Sequence, residues 1–187
     1  GADLRSPKKN YGYQAIHIDC FPRKKKTDPF TGVICIIYLN ETNSKNGSPR
    51  VIPGSHKKLG WPDDHIDIFK NHKNQINLNI PPGTILVINQ NIWHGGTQSI
   101  SGKPRKAIYI DIRRRDLPQL LNFKKYLKKE VENEMNEYQK YLLGVRSNDV
   151  LHQEDSVGPG SMYRNKFGNK REIYEKNING SLPKKIR

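Results

Sequence analysis

Thr31-Gly32-Val33-Ile34-Cys35-Ile36-Ile37-Tyr38-Leu39 is a nearly unbroken apolar run rich in β-branched residues, closed by the turn-rich segment Asn40–Ser48. A run of this length and composition reads as a strand buried on both faces. Working outward, Tyr13–Asp19 alternates well enough to be a strand before it, and Arg50–Ile52 is a short strand after it. A Pro53-Gly54-Ser55 break follows, then strands around Gln75–Ile80, Thr84–Asn89, Ile92–Gln98 and Arg105–Arg113, with Pro81-Pro82-Gly83 as a turn. A strand near Leu4–Lys8 brings the number to about eight. Eight short strands with no helices between most of them predict a double-sheet jelly roll rather than a parallel α/β sheet.

At Asp116 the hydrophobic period changes. Asp116 can cap a helix and Pro118 suits its first turn, while Leu117, Leu120, Leu121, Leu127, Val131, Met135, Tyr138 and Leu142 recur at threes, fours and sevens up to Gly144. The spacing predicts one amphipathic helix packed on the outside of the sheet, followed from Val145 by an irregular polar tail. The expected organisation is a single domain, with residues 1–115 as the core and 116–187 as helix and tail. Gly54–Asn74 is the longest stretch of the core without strand character, and such loops on a sheet scaffold are where lids and binding loops tend to be.

The 187 residues can bury one ordinary core, and no apolar run approaches the 18 or so residues of a membrane span. No charged-then-apolar leader opens the chain, and two cysteines make neither a disulfide framework nor a four-cysteine zinc site. A cytoplasmic protein with no membrane association is therefore expected. The net charge of +15 suggests a polyanionic partner on its face. A Lys, Asn and Ile-rich composition explains the same charge without one. The clusters Arg23–Lys26, Arg113–Arg115 and Lys124–Lys129 are scattered and lack interleaved aromatics, so nucleic-acid binding is a minor alternative.

No G-x-S-x-G elbow, phosphate-binding G-x-x-x-x-G-K-[ST] or G-x-G-x-x-G occurs, which removes the usual support for acyl transfer, NTPase and dinucleotide chemistry. Histidine chemistry remains. In His17-Ile18-Asp19, side chains two apart on a strand share a face, so an imidazole and a carboxylate converge. A third ligand from another strand would complete a two-histidine, one-carboxylate iron(II) site with open positions, and His94, entering the Gly95-Gly96 pair, is the best candidate. His65, His72 and His152 have no partner at a ligand-like spacing and read as surface residues.

Read together, these pieces resemble the phytanoyl-CoA dioxygenase family of iron(II)- and 2-oxoglutarate-dependent oxygenases. The resemblance rests on His17-Ile18-Asp19, Tyr38-Leu39-Asn40-Glu41-Thr42 running to Asn46-Gly47, and Val51-Ile52-Pro53-Gly54-Ser55-His56. It continues through Pro82-Gly83-Thr84 and Trp93-His94-Gly95 to Arg105, eleven residues after His94, and covers about residues 4 to 115. The resemblance implies a cupin-like double-stranded β-helix with His17, Asp19 and His94 as iron ligands and Arg105 as the partner of the far carboxylate of 2-oxoglutarate. Relatives often place a small or hydroxyl residue two after the distal histidine to help that carboxylate. Gly96 stands there, so Thr97 or Ser99 would have to substitute. His56 matches a loop-shaping turn and not a ligand.

The implied reaction consumes O₂ and 2-oxoglutarate, releases succinate and CO₂, and hydroxylates a C–H bond of a small organic substrate. Halogenating relatives lack the carboxylate, so Asp19 favours hydroxylation. Relatives carry a longer region before the first ligand, with helices backing the larger sheet, so the contacts to the near carboxylate are not identifiable; the helix at 117–142 could cover that sheet instead. Arg23–Lys26 and Lys57–Lys58 are expected at the mouth of the barrel, where they would suit an anionic substrate. Two rivals remain: a non-catalytic binding module, and a cupin-like metalloenzyme independent of 2-oxoglutarate. Substrate identity and oligomeric state are not readable from the chain.

Overall fold

A computed structural model describes residues 2–5, 7–114, 123–143 and 145. Among the described residues seven strands form: β1 (Ala2–Arg5), β2 (Gly32–Tyr38), β3 (Pro49–Ile52), β4 (Ile76–Asn77), β5 (Ile85–Asn89), β6 (Trp93–Gly96) and β7 (Ala107–Arg113). They make two antiparallel sheets, a larger one ordered β1-β7-β2-β5 and a smaller one ordered β4-β3-β6. The decisive run is a central strand, as its β-branched composition requires, with β7 on one side and β5 on the other. The jelly-roll expectation holds.

The expected strand Tyr13–Asp19 is present in reduced form. His17 and His94 exchange backbone hydrogen bonds of 2.9 and 3.0 Å across the free edge of β6. Gln14 N–H donates to the Gly96 carbonyl and Asp19 N–H to that of Gln90, so the pairing register is not constant along the segment. Ile16 N–H turns the other way, to the Ile68 carbonyl. The segment is the eighth member of the barrel, threaded between β6 and the 54–74 loop.

Alternation sorts the side chains. Ile34, Ile36 and Tyr38 of β2 join Ile80, Ile88 and Ala107 in one buried cluster. Ile16, Ile18, Ile52, Ile68 and Trp93 make a second, packed by Trp61, Ile66 and Phe69. Trp61, Ile66, Ile68 and Phe69 all belong to Gly54–Asn74. That loop is therefore a cover for the face of the small sheet opposite His17 and His94, and not a lid over them. Its apolar residues need a partner surface, and Ile16, Ile18 and Trp93 lie more than 20 residues away in sequence, where no local signal points. Ser55 of the Pro-Gly-Ser-His turn ties the two together, its hydroxyl accepting the Trp93 N–H at 2.8 Å.

The outer face of the large sheet is apolar. Ile85, Val87 and Ile112 are exposed there, with Cys35, Ile37 and Ile110 half-buried between them. The single helix expected to pack on the outside of the sheet is not continuous among the described residues. Over its described part the chain forms three short helices, α1 (Phe123–Tyr126), α2 (Lys129–Glu134) and α3 (Glu137–Leu143), and Leu117, Leu120 and Leu121 lie outside the described residues. Lys128 and Met135 adopt extended backbone. Asn136 and Gln139 cap each other reciprocally at 2.9 Å, starting a new helix where the periodicity predicted continuity. The breaks scatter the apolar stripe, and Tyr126, Val131, Tyr138 and Leu142 are exposed. No described helix is long and apolar enough to cross a membrane.

Candidate metal and cosubstrate site

The strand face shared by His17 and Asp19 meets His94 of β6, and one nitrogen or oxygen from each of the three lies within 4.8 Å of the others. His94 Nε2 is 3.0 Å from Asp19 Oδ2, and His17 Nε2 is 3.6 Å from Asp19 Oδ1. The imidazole centroids are 4.4 Å apart. Among the described residues this is the group of histidine, cysteine and acidic side chains that can hold a metal ion.

Backbone carbonyls orient both rings. His17 Nδ1 is 2.8 Å from the Ala15 carbonyl and His94 Nδ1 is 2.9 Å from the Ile92 carbonyl, each two residues upstream. A carbonyl only accepts, so both Nδ1 atoms carry the proton and the neutral ring has its lone pair on Nε2. Two lone pairs and a carboxylate then converge with nothing but acceptors facing one another. A cation between them, or a shared proton, reconciles that geometry, and two imidazoles with one carboxylate are ligands suited to ferrous iron.

Asp19 is held from behind. Its N–H donates to the Gln90 carbonyl at 3.0 Å and its own carbonyl accepts from Arg113 at 3.2 Å. Arg113 also pairs with Asp111 at 3.1 Å, and Gln90 donates its side-chain amide to Asp111, which closes a ring around the ligand's backbone. Burial pushes the Asp111 carboxyl above the usual range, against the pull of Arg113. None of these supporting residues was singled out from the sequence, where Arg113 reads as one of a basic cluster.

The two glycines after His94 are explained by crowding. A Cβ on Gly96 would lie 2.6 Å from the Gly12 carbonyl oxygen, and one on Gly95 2.9 Å from that of Gln14 and 3.2 Å from that of Ala15. The segment bearing His17 crosses so closely that side chains are excluded. Gly95→Ala is expected to push that segment off β6, costing about 1–3 kcal/mol of stability and weakening metal binding with it; a thermal melt and a nickel titration check both.

Arg105 is buried, 6% exposed, and makes no hydrogen bond or ion pair among the described residues, its Nε being fully occluded. A buried guanidinium with no anion is costly unless a ligand supplies one. Thr97 donates its hydroxyl to the Ser48 carbonyl at 2.8 Å, whereas Ser99 is fully buried with its hydroxyl unpartnered. Arg50 is also buried, but it is satisfied in part by the Gln14 carbonyl at 2.6 Å and lies 4.7 Å from the Tyr13 ring centroid. It joins β3 to the His17 segment.

Comparison with known proteins decides the kinship. A profile of the phytanoyl-CoA dioxygenase family matches residues 9–107, which contain His17, Asp19, His94 and Arg105. The chain belongs to the phytanoyl-CoA dioxygenase family. The uncharacterized protein Rv1501 of Mycobacterium tuberculosis is 27% identical over 145 residues, 78% of this chain and 51% of that protein. The chain thus spans about half the length of the curated relatives it matches. Among solved structures, AviO1 from Streptomyces viridochromogenes Tue57 is similar with a TM-score of 0.47 and 21% identity, over 63% of this chain and 50% of that one. EvdO2 from Micromonospora carbonacea var. aurantiaca, complexed with 2-oxoglutarate, gives 0.45 and 17%, over 62% and 52%.

Proposed function

We propose that this phytanoyl-CoA dioxygenase family chain is the core of an iron(II)- and 2-oxoglutarate-dependent oxygenase that hydroxylates a small organic substrate. The observation that carries the reading is the pairing of a converging His17–Asp19–His94 face with a buried arginine, Arg105, that has no anion of its own. His17, Asp19 and His94 would hold the metal, and Arg105 would take the far carboxylate of the cosubstrate, with Ser99 as the unpartnered hydroxyl on the chain that leaves β6. When bound, the metal would activate O₂, the oxidant, with 2-oxoglutarate supplying two of the electrons that reduce it as it is oxidised to succinate and CO₂ and the substrate C–H bond supplying the other two.

The chain's own part is positioning. The Ala15 and Ile92 carbonyls keep each imidazole proton on Nδ1 and so keep Nε2 available. The Gln90 and Arg113 contacts hold Asp19 at the right height, and the second apolar cluster closes the back of the small sheet to water.

An anionic substrate is part of the proposal. Gly60 N–H donates to the Arg23 carbonyl at 3.1 Å, joining the Arg23–Lys26 loop to the Lys57–Lys58 turn. Lys24, Lys25, Lys26, Lys57 and Lys58 are exposed and free of ion pairs among the described residues, because the Asp28 carboxylate is engaged by the backbone N–H groups of Lys24 and Lys25. This positive rim begins a few residues beyond Asp19.

The test is an anaerobic titration of iron(II)-loaded protein with 2-oxoglutarate, following the weak visible band of the metal chelate. A saturable band that is lost on admitting O₂, with succinate formed, is the expected result. Bound iron with no band would overturn the 2-oxoglutarate assignment in favour of a cupin-like metalloprotein.

A further inference from the structure

The backbone of the His17 segment leaves the regular ladder just before the first ligand. Gln14 N–H donates to the Gly96 carbonyl, whereas the next pair bonded across this edge is His17 with His94. Three steps along the segment therefore match two along β6, which is a bulge of one extra residue. The bulge lies over Gly95, where a Cβ would come within 2.9 and 3.2 Å of the Gln14 and Ala15 carbonyl oxygens. Both carbonyls are turned out of the ladder, and both find other donors. That of Ala15 accepts from His17 Nδ1 at 2.8 Å, and that of Gln14 accepts from Arg50 at 2.6 Å. The Gly96 N–H, which a regular ladder would pair with the Gln14 carbonyl, donates instead to the Gln14 side-chain oxygen at 2.9 Å.

Resting on the metal-site reading above, we propose that Arg50 is a positioning residue for the metal ligands: it pins this bulge and so selects the register that puts His17 and Asp19 on the face of His94. In the register begun by Gln14 and Gly96, Ile16 would stand opposite His94. Side chains alternate along a strand, so a ladder without the bulge would aim Ile16 and Ile18 at the metal and turn both ligands away. Arg50 sits where it can prevent that. It is fully buried on β3, opposite Gly95, and grips two consecutive residues of the segment, the Gln14 carbonyl and the Tyr13 ring, whose centroid is 4.7 Å away. Its other terminal nitrogen donates to the Asn71 side-chain oxygen at 3.3 Å, an uncharged partner. No ion pair among the described residues competes for the guanidinium, so its charge strengthens the bond to the one carbonyl that the bulge exposes.

The experiment titrates nickel calorimetrically into the full chain as wild type, Arg50→Met and Ile80→Ala, well below the melting temperature of each. Ile80 is buried in the other apolar cluster, so its variant shows what lost packing does by itself. Arg50→Met is expected to bind nickel about 10–100-fold more weakly and, loaded with cobalt(II), to show a changed visible spectrum. Ile80→Ala is expected to melt lower than wild type and to match it in both affinity and spectrum. Arg50→Gln, a smaller change whose side chain is too short to reach the Gln14 carbonyl, carries the same comparison if Arg50→Met does not fold. Affinity and spectrum equal to wild type, or changed no more than in Ile80→Ala, overturn the positioning role while the metal site stands. A wild type that takes up no nickel overturns both.

Discussion

Replacing Asp19 with alanine is expected to lower ferrous or nickel affinity by more than about 100-fold while the chain stays folded. Groups that only support a metal ligand change affinity about 10–100-fold when removed, so a ligand itself must do more. Asp19 is also the one anionic member of the site; without it, two neutral imidazoles would face a dication with no charge to balance it. The fold should tolerate the change because Asp19 is tied in through its backbone, to Gln90 and Arg113, and its side chain is 36% exposed. Equilibrium dialysis under argon, beside a thermal melt, reads both quantities. Metal content equal to wild type would remove Asp19 from the ligand set.

Arg105→Met should move two measurements in opposite directions. Affinity for 2-oxoglutarate is expected to fall by about two to three orders of magnitude, since breaking a buried ion pair costs about 3–5 kcal/mol. The metal-free protein, in contrast, should melt at the same temperature or higher. Its arginine is buried without an anion, and an apolar side chain of similar length removes that desolvation cost. A purely structural arginine predicts the reverse of the second result, lower stability, with cosubstrate binding changed only as far as the fold is. Calorimetric titration and a melt of the same preparation separate the two roles.

These residues could be found in the sequence because each belongs to a short local pattern. The β-branched run at 31–39 announces a central strand, and His17 and Asp19 share a face simply by being two apart. Arg105 is different: its residue type and spacing matched the family, but an arginine in a chain of net charge +15 reads as surface until its burial is seen. Asp111 and Gln90 were hidden for the opposite reason, as polar side chains in largely apolar runs that are paired with each other across the sheet. The 54–74 loop misled because its apolar residues have no period, and their meaning depends on Ile16, Ile18 and Trp93 lying beneath them. In the helical region the periodicity was real, but the Asn136–Gln139 capping pair and the extended backbone at Lys128 and Met135 outweigh it.

The apolar outer face of the large sheet has a consequence for how the protein behaves at the bench. Copies of a chain carrying +15 repel one another in dilute buffer, which keeps Ile85, Val87 and Ile112 of neighbouring molecules apart. Salt shortens the reach of that repulsion to about 10 Å at 0.1 M and about 3 Å at 1 M, and sulfate or phosphate strengthens apolar association at the same time. Elution from a cation exchanger thus delivers the protein into the solution in which it is most adhesive. Colloidal stability should be greatest at low ionic strength, and ammonium sulfate should bring it down early.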